Sequence, residues 1–345
     1  MNYKLLGKSG LRVSEICLGT MTFGQEWGYG ADKKESRKIF NTYLEAGGNF
    51  LDTANRYTEG TSETWLGEFI KDSGRREELV VATKYSLITK ANRINDGGNH
   101  RKNLVQSVEG SLKRLGDTYI DLLWLHAWDF TTPEEEVMRA LDDLVRAGKI
   151  LYVGISDTPA WLVSRMNTIA ELRAWTPFIG LQVEYSLIQR EPERDLLPMA
   201  RHLDLGVTAW APLGGGALTG KYLKQNEDPK RLKEGTKRLS DRNKKIAQGV
   251  VDIAARLGCS PGQLAIRWVM QKHAQNIPIV GSRSAAQIAE SLASMEVKLS
   301  DEVMSELEEL SAIELGFPHD FLKGEGVQQV TFGGFQGKIL NHRQK

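Results

Sequence analysis

Four side chains able to move or orient a proton stand just where apolar runs end. Asp52 closes Asn49-Phe50-Leu51, Tyr57 follows one tight loop later, Lys84 closes Leu79-Val80-Val81-Ala82-Thr83, and His126 closes Ile120-Asp121-Leu122-Leu123-Trp124-Leu125. A phenol is neutral at pH 7, with a reference pKa of ~10, so it can donate a proton to an oxygen that is becoming an alkoxide. A neighbouring ammonium stabilises the phenolate left behind and is expected to lower the phenol's pKa, while a carboxylate holds the ammonium charged. A neutral imidazole orients the oxygen under attack. Taken singly, each residue also has an ordinary reading: a cap, a solvated base, a packing ring or a hydrogen-bonded core histidine. All four together at the ends of successive strands suit polarising a ketone or aldehyde while hydride arrives from a cofactor, or the reverse.

Such convergence needs a scaffold in which strand ends meet. The runs are rich in Val, Ile and Leu and do not alternate strictly, as expected of strands covered on both faces in a parallel sheet. From Ile16-Cys17-Leu18-Gly19 onward, strand and helix patterns alternate. Helices are expected over about 32–46, 62–71, 103–115, 133–147, 159–174, 195–203, 243–257 and 261–271. The later strands are Leu151–Ile155, Gly180–Glu184, Gly206–Trp210 and Ile277–Val280. Gly47-Gly48, Gly116 and Gly148 stop helices, and Pro133 starts one. Eight strands, each with a helical segment after it, indicate an α/β fold, a (β/α)8 TIM barrel whose chemistry sits at the C-terminal ends of the strands. Residues 3–15 read as an N-terminal β-hairpin plugging the lower end. Gly7-Lys8-Ser9 lacks the spaced upstream glycine of a phosphate loop.

The 345 residues suffice for one barrel domain with additions, a mouth insertion at 221–245 and a C-terminal extension of extra helices at 300–345. The insertion is a solvated loop or a lid. The tail around Phe317–Phe321 closes the pocket or an oligomer contact, and the sequence leaves both open. Forty-five Lys and Arg against 44 Asp and Glu give no global field for nucleic acid or an anionic membrane. Two distant cysteines, Cys17 and Cys259, form neither a disulfide framework nor a metal cluster, and His126 has no histidine partner at metal-ligand spacing, so no metal is expected. The N-terminus has no apolar signal core, and a cytoplasmic location is expected.

The Phe50-Leu51-Asp52-Thr53-Ala54 run with Tyr57, Val81-Ala82-Thr83-Lys84 and Asp121-Leu122-Leu123-Trp124-Leu125-His126 resemble the tetrad motifs of the aldo-keto reductases. The match continues through Gly154–Asp157, Gln182–Ser186, Ala211–Lys221 and Val280–Arg283. The Trp210–Lys221 block is most similar to the branch holding bacterial aryl-alcohol dehydrogenase-like reductases and potassium-channel β subunits. The resemblance implies Tyr57 as general acid, tuned by Lys84 and Asp52, with His126 orienting a small-molecule carbonyl. It also implies NADP(H). Gly19, Thr20, Met21 and Asp52 would flank the cofactor, Ser156, Asp157 and Gln182 its carboxamide, and Trp210 its ring, although Trp210 has a packing alternative. Ala211, Pro212, Leu213, Gly215, Lys221 and Arg231 would meet the diphosphate. Gly281, Ser282, Arg283, Gln287 and Ser291 would surround the adenosine 2′-phosphate, where the planar fork of Arg283 favours NADPH.

The sequence departs from the family at Asp157, which replaces a common asparagine and can only accept hydrogen bonds, and at Gly281, Gln287 and Ser291. Trp27, Tyr29, Tyr85 and Trp128 rim the pocket or pack in the core. The alternative function is a cofactor-holding regulatory module like the channel β subunits, with little turnover.

Overall fold

The computed structural model describes residues 1–223, 232, 233 and 235–341. Eight parallel strands close into a barrel in the order β10-β3-β4-β5-β6-β7-β8-β9. These are β3 (Cys17–Gly19), β4 (Phe50–Asp52), β5 (Val80–Tyr85), β6 (Ile120–Leu125), β7 (Ile150–Ser156), β8 (Gly180–Glu184), β9 (Gly206–Trp210) and β10 (Asn276–Gly281). Around them lie α1 (Lys33–Glu45), α2 (Thr61–Ser73), α3 (Arg101–Leu115), α4 (Glu134–Arg146), α5 (Ala160–Arg173), α6 (Leu196–His202), α7 (Asp241–Leu257), α8 (Pro261–Lys272) and α9 (Ala285–Leu292). The (β/α)8 architecture read from the strand runs is therefore the observed one.

Local signals set the helix ends. Asp32 accepts from the Glu35 amide at the start of α1, and Ser260 and Gln263 form a reciprocal capping box with Pro261 at the first position of α8. Gly116 ends α3 in the left-handed region, as its place in the sequence predicts. The hairpin pairs β1 (Tyr3–Leu5) with β2 (Arg12–Ser14), and Leu6 and Val13 join the barrel-interior cluster, so it does plug one end.

Two apolar layers result. Side chains alternating inward, among them Cys17, Phe50, Val80, Ala82, Leu122 and Trp124, fill the barrel. Their neighbours Leu18, Leu51, Val81, Leu123, Val153 and Ile155 face the helices. Trp124 is the largest fully buried side chain of the interior, and a Cβ on Gly154 would stand 2.3 Å from its ring. The missing side chain on β7 makes the room for that indole.

The polar segment after β9 departs from one continuous insertion. A short turn of helix covers Lys237–Leu239 and α7 begins at Asp241, so its last residues belong to the helical layer. Past the barrel, α10 (Asp301–Leu310) is capped by Ser300 and tied back by Arg190, which bonds the Ser311 hydroxyl at 2.9 Å and also the Glu308 carboxylate. Two further helices follow, α11 (His319–Lys323) and α12 (Glu325–Phe332), with Phe317, Phe321 and Val330 exposed.

Candidate active site

In the barrel register Asp52 lies opposite Ala82, two residues before Lys84. Both side chains turn inward on adjacent strands, and the lysine reaches back across a step of ~7 Å along the strand. Its amine donates to Asp52 Oδ1, to the Thr53 carbonyl at 2.8 Å and to the Tyr57 hydroxyl at 3.1 Å. Lys84 is wholly buried, and Asp52 nearly so. The second Asp52 oxygen accepts from Gln182 Nε2 at 3.0 Å, so both carboxylate oxygens are engaged.

Tyr57 is aimed by its loop. The Thr53 and Asn55 amides continue the bonding of β5, donating to Ala82 and Lys84 carbonyls at 2.9 and 3.2 Å. Thr58 and Glu59 adopt left-handed backbone at φ 46° and 56°, unusual for residues with a Cβ. The Thr58 hydroxyl, donating to the Phe23 carbonyl at 2.6 Å, ties that turn down. The Tyr57 ring stands edge-on to both His126 and Trp27, with centroids 5.9 and 6.3 Å away.

Burial drives the electrostatics. It pushes the Tyr57 phenol above its ordinary range, and the Lys84 charge opposes that rise without cancelling it. The lowering expected from the ammonium is present, but desolvation outweighs it. Burial also works against the Lys84 ammonium, yet the Asp52 charge, with Tyr57 beside it, leaves its pKa above that of a free lysine. His126 is pushed down to about 3 by burial first and by Lys84 second, so its ring is neutral at working pH. His126 Nδ1 is buried without a hydrogen-bond partner among the described residues.

Around this cluster lie the expected cofactor residues. Trp210 ends β9, partly exposed, and its indole N–H donates to Asp157 Oδ1 at 3.3 Å. Asp157 sits at φ 42°; though part of it faces solvent, the atoms crowding it raise its carboxyl pKa against the effect of that bond. Ser156 is buried at the end of β7, and its side chain works to lower the Asp157 carboxyl pKa, against the rise from burial. After Ala211, Pro212 and Leu213, Gly215 takes φ 70°, and a Cβ there would lie 3.0 Å from Leu232 and 3.3 Å from the Arg238 guanidinium. Backbone conformation and close approach both call for glycine. The Lys221 amine stands beside Gly216.

On the far side, Gly281 ends β10 exposed and Ser282 is buried, its hydroxyl without a partner among the described residues and its carbonyl accepting from Thr22 at 2.5 Å. Gln287 spends its amide oxygen on the Arg283 N–H at 2.9 Å, and Ser291 is buried in α9. Gly19 packs against Ile279, and Met21 is partly exposed.

Of the four aromatics left open between rim and core, two take the core. Tyr85 does not rim the pocket: one residue past Lys84 on β5, it faces the helical layer, fully buried, with its hydroxyl on the Asn99 carbonyl at 3.4 Å. Trp128 is likewise buried in that layer and borders a shallow depression with Phe130 and Trp161. Thr20 is fully buried, its hydroxyl, N–H and carbonyl engaged by Asp52 and Ser62. Trp27 does stand beside Tyr57, and Tyr29 lies against Trp27, with ring centroids 6.3 Å apart in each pair. Arg231 lies outside the described residues.

Sequence reasoning missed Arg238. Its guanidinium donates twice to Glu184 Oε1, at 3.0 and 2.6 Å, and lies 5.8 Å from the Trp210 ring centroid. It thus crosses the mouth beside Gly215. The available signal was Gly235-Thr236-Lys237-Arg238, a turn-like break in the charged run, set against the carboxylate that ends β8.

A closed eight-stranded barrel with titratable groups gathered at the C-terminal ends of its strands defines the class, a (β/α)8 enzyme. The aldo/keto reductase family model matches residues 15–312, and the chain belongs to that family of oxidoreductases acting on carbonyl and alcohol groups. Among its relatives, a norsolorinic acid reductase of Emericella nidulans is 39% identical over 91% of this chain and 82% of its own. The aryl-alcohol dehydrogenase [NADP(+)] of Phanerodontia chrysosporium is 37% identical over 92% and 87%. A probable aryl-alcohol dehydrogenase of Saccharomyces cerevisiae is 35% identical over 84% and 92%.

Proposed function

We propose that the protein catalyses the reversible, NADPH-dependent reduction of aromatic aldehydes or ketones, with Tyr57 as the general acid. The observation that carries this reading is the Tyr57 hydroxyl at 3.1 Å from a buried Lys84 amine whose charge Asp52 secures. A nicotinamide cofactor fits the residues present. Trp210 offers a ring face at the mouth, the Gly214–Gly216 turn tolerates no bulk, and the buried Ser282 hydroxyl lacks a partner where the adenosine phosphate is expected. Trp210, Ser156 and Gln182 would hold the nicotinamide end, Arg238 and Lys221 the diphosphate, and Ser282 and Arg283 the 2′-phosphate. The reduced cofactor would supply hydride to the carbonyl carbon.

The chain's own groups do the rest. Neutral His126 donates a hydrogen bond to the substrate oxygen and fixes its direction. Tyr57 hands its proton to the same oxygen, and the phenolate that results lies against the Lys84 ammonium. Because burial holds the phenol's pKa high, the lysine's charge becomes most valuable once the phenolate has formed. Trp27 beside Tyr57, with Tyr29 packed on Trp27, suits a ring-bearing substrate, in keeping with the aryl-alcohol dehydrogenases among the relatives. Two free cysteines suit a reducing, cytoplasmic setting.

The test is cofactor oxidation across benzaldehyde, substituted benzaldehydes and aliphatic aldehydes, with NADPH and NADH in parallel. Turnover is expected with the aromatic members and a preference for NADPH. A protein that binds NADPH but turns over no aldehyde, and oxidises no benzyl alcohol with NADP+, is not this enzyme.

A further inference from the structure

Outside the barrel mouth, a polar groove of about 310 Å³ runs along α3 beneath the loop that follows β5. Its charges are unbalanced. Lys90, Arg93 and Arg114 line it against the single carboxylate of Asp96, which stands 3.9 Å from Arg93. Lys90 has no hydrogen bond or ion pair among the described residues. Arg114 is anchored from behind: its Nε donates to the buried Glu63 at 2.6 Å, and Glu63 accepts in turn from the Thr83 hydroxyl. That anchor holds the guanidinium in place beside α3 and offsets part of its charge.

The floor supplies a second, independent observation. Asn55 is 2% exposed and lines the groove, and its amide oxygen is buried without a partner among the described residues. Its amide nitrogen reaches the Ser107 hydroxyl at 3.3 Å, while Ser107 spends its proton on Asn103 at 3.2 Å. Turning the amide over would strand the nitrogen instead, so one polar atom of this side chain lacks a bond either way. An unsatisfied buried polar group of this kind is unfavourable, and a ligand hydroxyl would satisfy it.

We infer that this groove is a second ligand site, for a small anion that also carries hydroxyl groups, such as a phosphorylated polyol. The phosphate lies among Lys90, Arg93 and Arg114 at the open side, and a hydroxyl of the same molecule donates to the Asn55 amide oxygen on the floor. A volume of this size lies at the lower end of the range for small-molecule sites, which suits a ligand of three or four carbons. The site is independent of the cofactor reading, because none of its side chains belongs to the mouth. It is nonetheless near it: Asn55 sits in the loop between Asp52 and Tyr57, with its backbone N–H donating to the Lys84 carbonyl at 3.2 Å.

Calorimetric titration of the full chain with glycerol 3-phosphate tests this, with and without saturating NADPH so that phosphate sites at the mouth are filled in one arm. Expected is one saturable site that persists with NADPH, at least fivefold weaker for inorganic phosphate, which lacks the hydroxyls, and at least tenfold weaker in a Lys90→Ala/Arg93→Ala variant. Both replaced residues are exposed, so their loss leaves the fold intact. Asn55→Leu, with unfolding monitored separately, should bring glycerol 3-phosphate down to the affinity of phosphate. Equal weak binding of both anions in wild type and variant means an adventitious ion only and overturns the site, as does binding that NADPH abolishes.

Discussion

Replacing Asp52 by Asn separates the two things this carboxylate does. Lys84 has no exposed surface, and in the wild type its ammonium is balanced by Asp52 and bonded to Thr53 and Tyr57. An amide in place of the carboxylate keeps the shape and one acceptor oxygen but leaves a buried positive charge uncompensated, a loss of about 3–5 kcal/mol. The sign with pH follows from the same contacts. In the wild type the folded-state pKa of Lys84 is raised, so its contribution is fully present below the unfolded value of ~10.4 and is lost only as pH rises through the folded one. In the Asn variant burial dominates, the folded pKa falls below ~10.4, and stability is recovered as pH rises through the alkaline range.

Urea unfolding at pH 7 and pH 9.5 measures both effects. Adding Lys84→Met to Asp52→Asn removes the stranded charge and should restore at least ~1.5 kcal/mol of the loss, though not activity. If Asp52→Asn costs under ~1 kcal/mol at pH 7, or if Lys84→Met in that background destabilises further, the argument that the carboxylate secures a buried charge is refuted.

Three other outcomes are expected. Tyr57→Phe should lower carbonyl reduction by about 10²–10⁴-fold while the NADPH Kd, read by protein fluorescence, stays within about twofold; reduction surviving within about fivefold would remove Tyr57 from the acid's role. His126 stays neutral until about pH 3, whereas the unfolded chain protonates it near ~6.5, so acidification costs stability in between. Wild type should therefore lose about 1.6 kcal/mol more than His126→Gln between pH 6.5 and pH 5 in urea unfolding, and parallel curves for the two would contradict a buried neutral imidazole. Arg238→Ala should raise the NADPH Kd about tenfold, roughly 1.4 kcal/mol, with an undisturbed melting temperature; an unchanged Kd would place Arg238 outside the cofactor site.

Much of this could be read without coordinates, for identifiable reasons. The barrel was legible because its strands are short runs dominated by apolar residues without strict alternation, and because Gly116 and Pro133 mark helix ends locally. The Asp52–Lys84–Tyr57 cluster was legible because strand ends in a closed parallel barrel converge whatever their separation in sequence. Tyr85 stayed open between rim and core because a residue at a strand end tells nothing of which face it takes until the register is fixed, and in the fold Lys84 takes the inward side. The Arg238–Glu184 pair was missed because it spans 54 positions and depends on how a loop folds across the mouth. The net direction of the Tyr57 pKa could not be had from residue types, since it is a contest between burial and one charge that only packing decides.

The indole of Trp124, seated where Gly154 has no side chain, makes the floor beneath the reacting groups a solid stopper. Anyone wishing to widen this enzyme's choice of substrates must therefore work outward, on the rim segments around Trp27 and Tyr29. Hollowing the barrel from below would unseat the lysine before it admitted a larger guest.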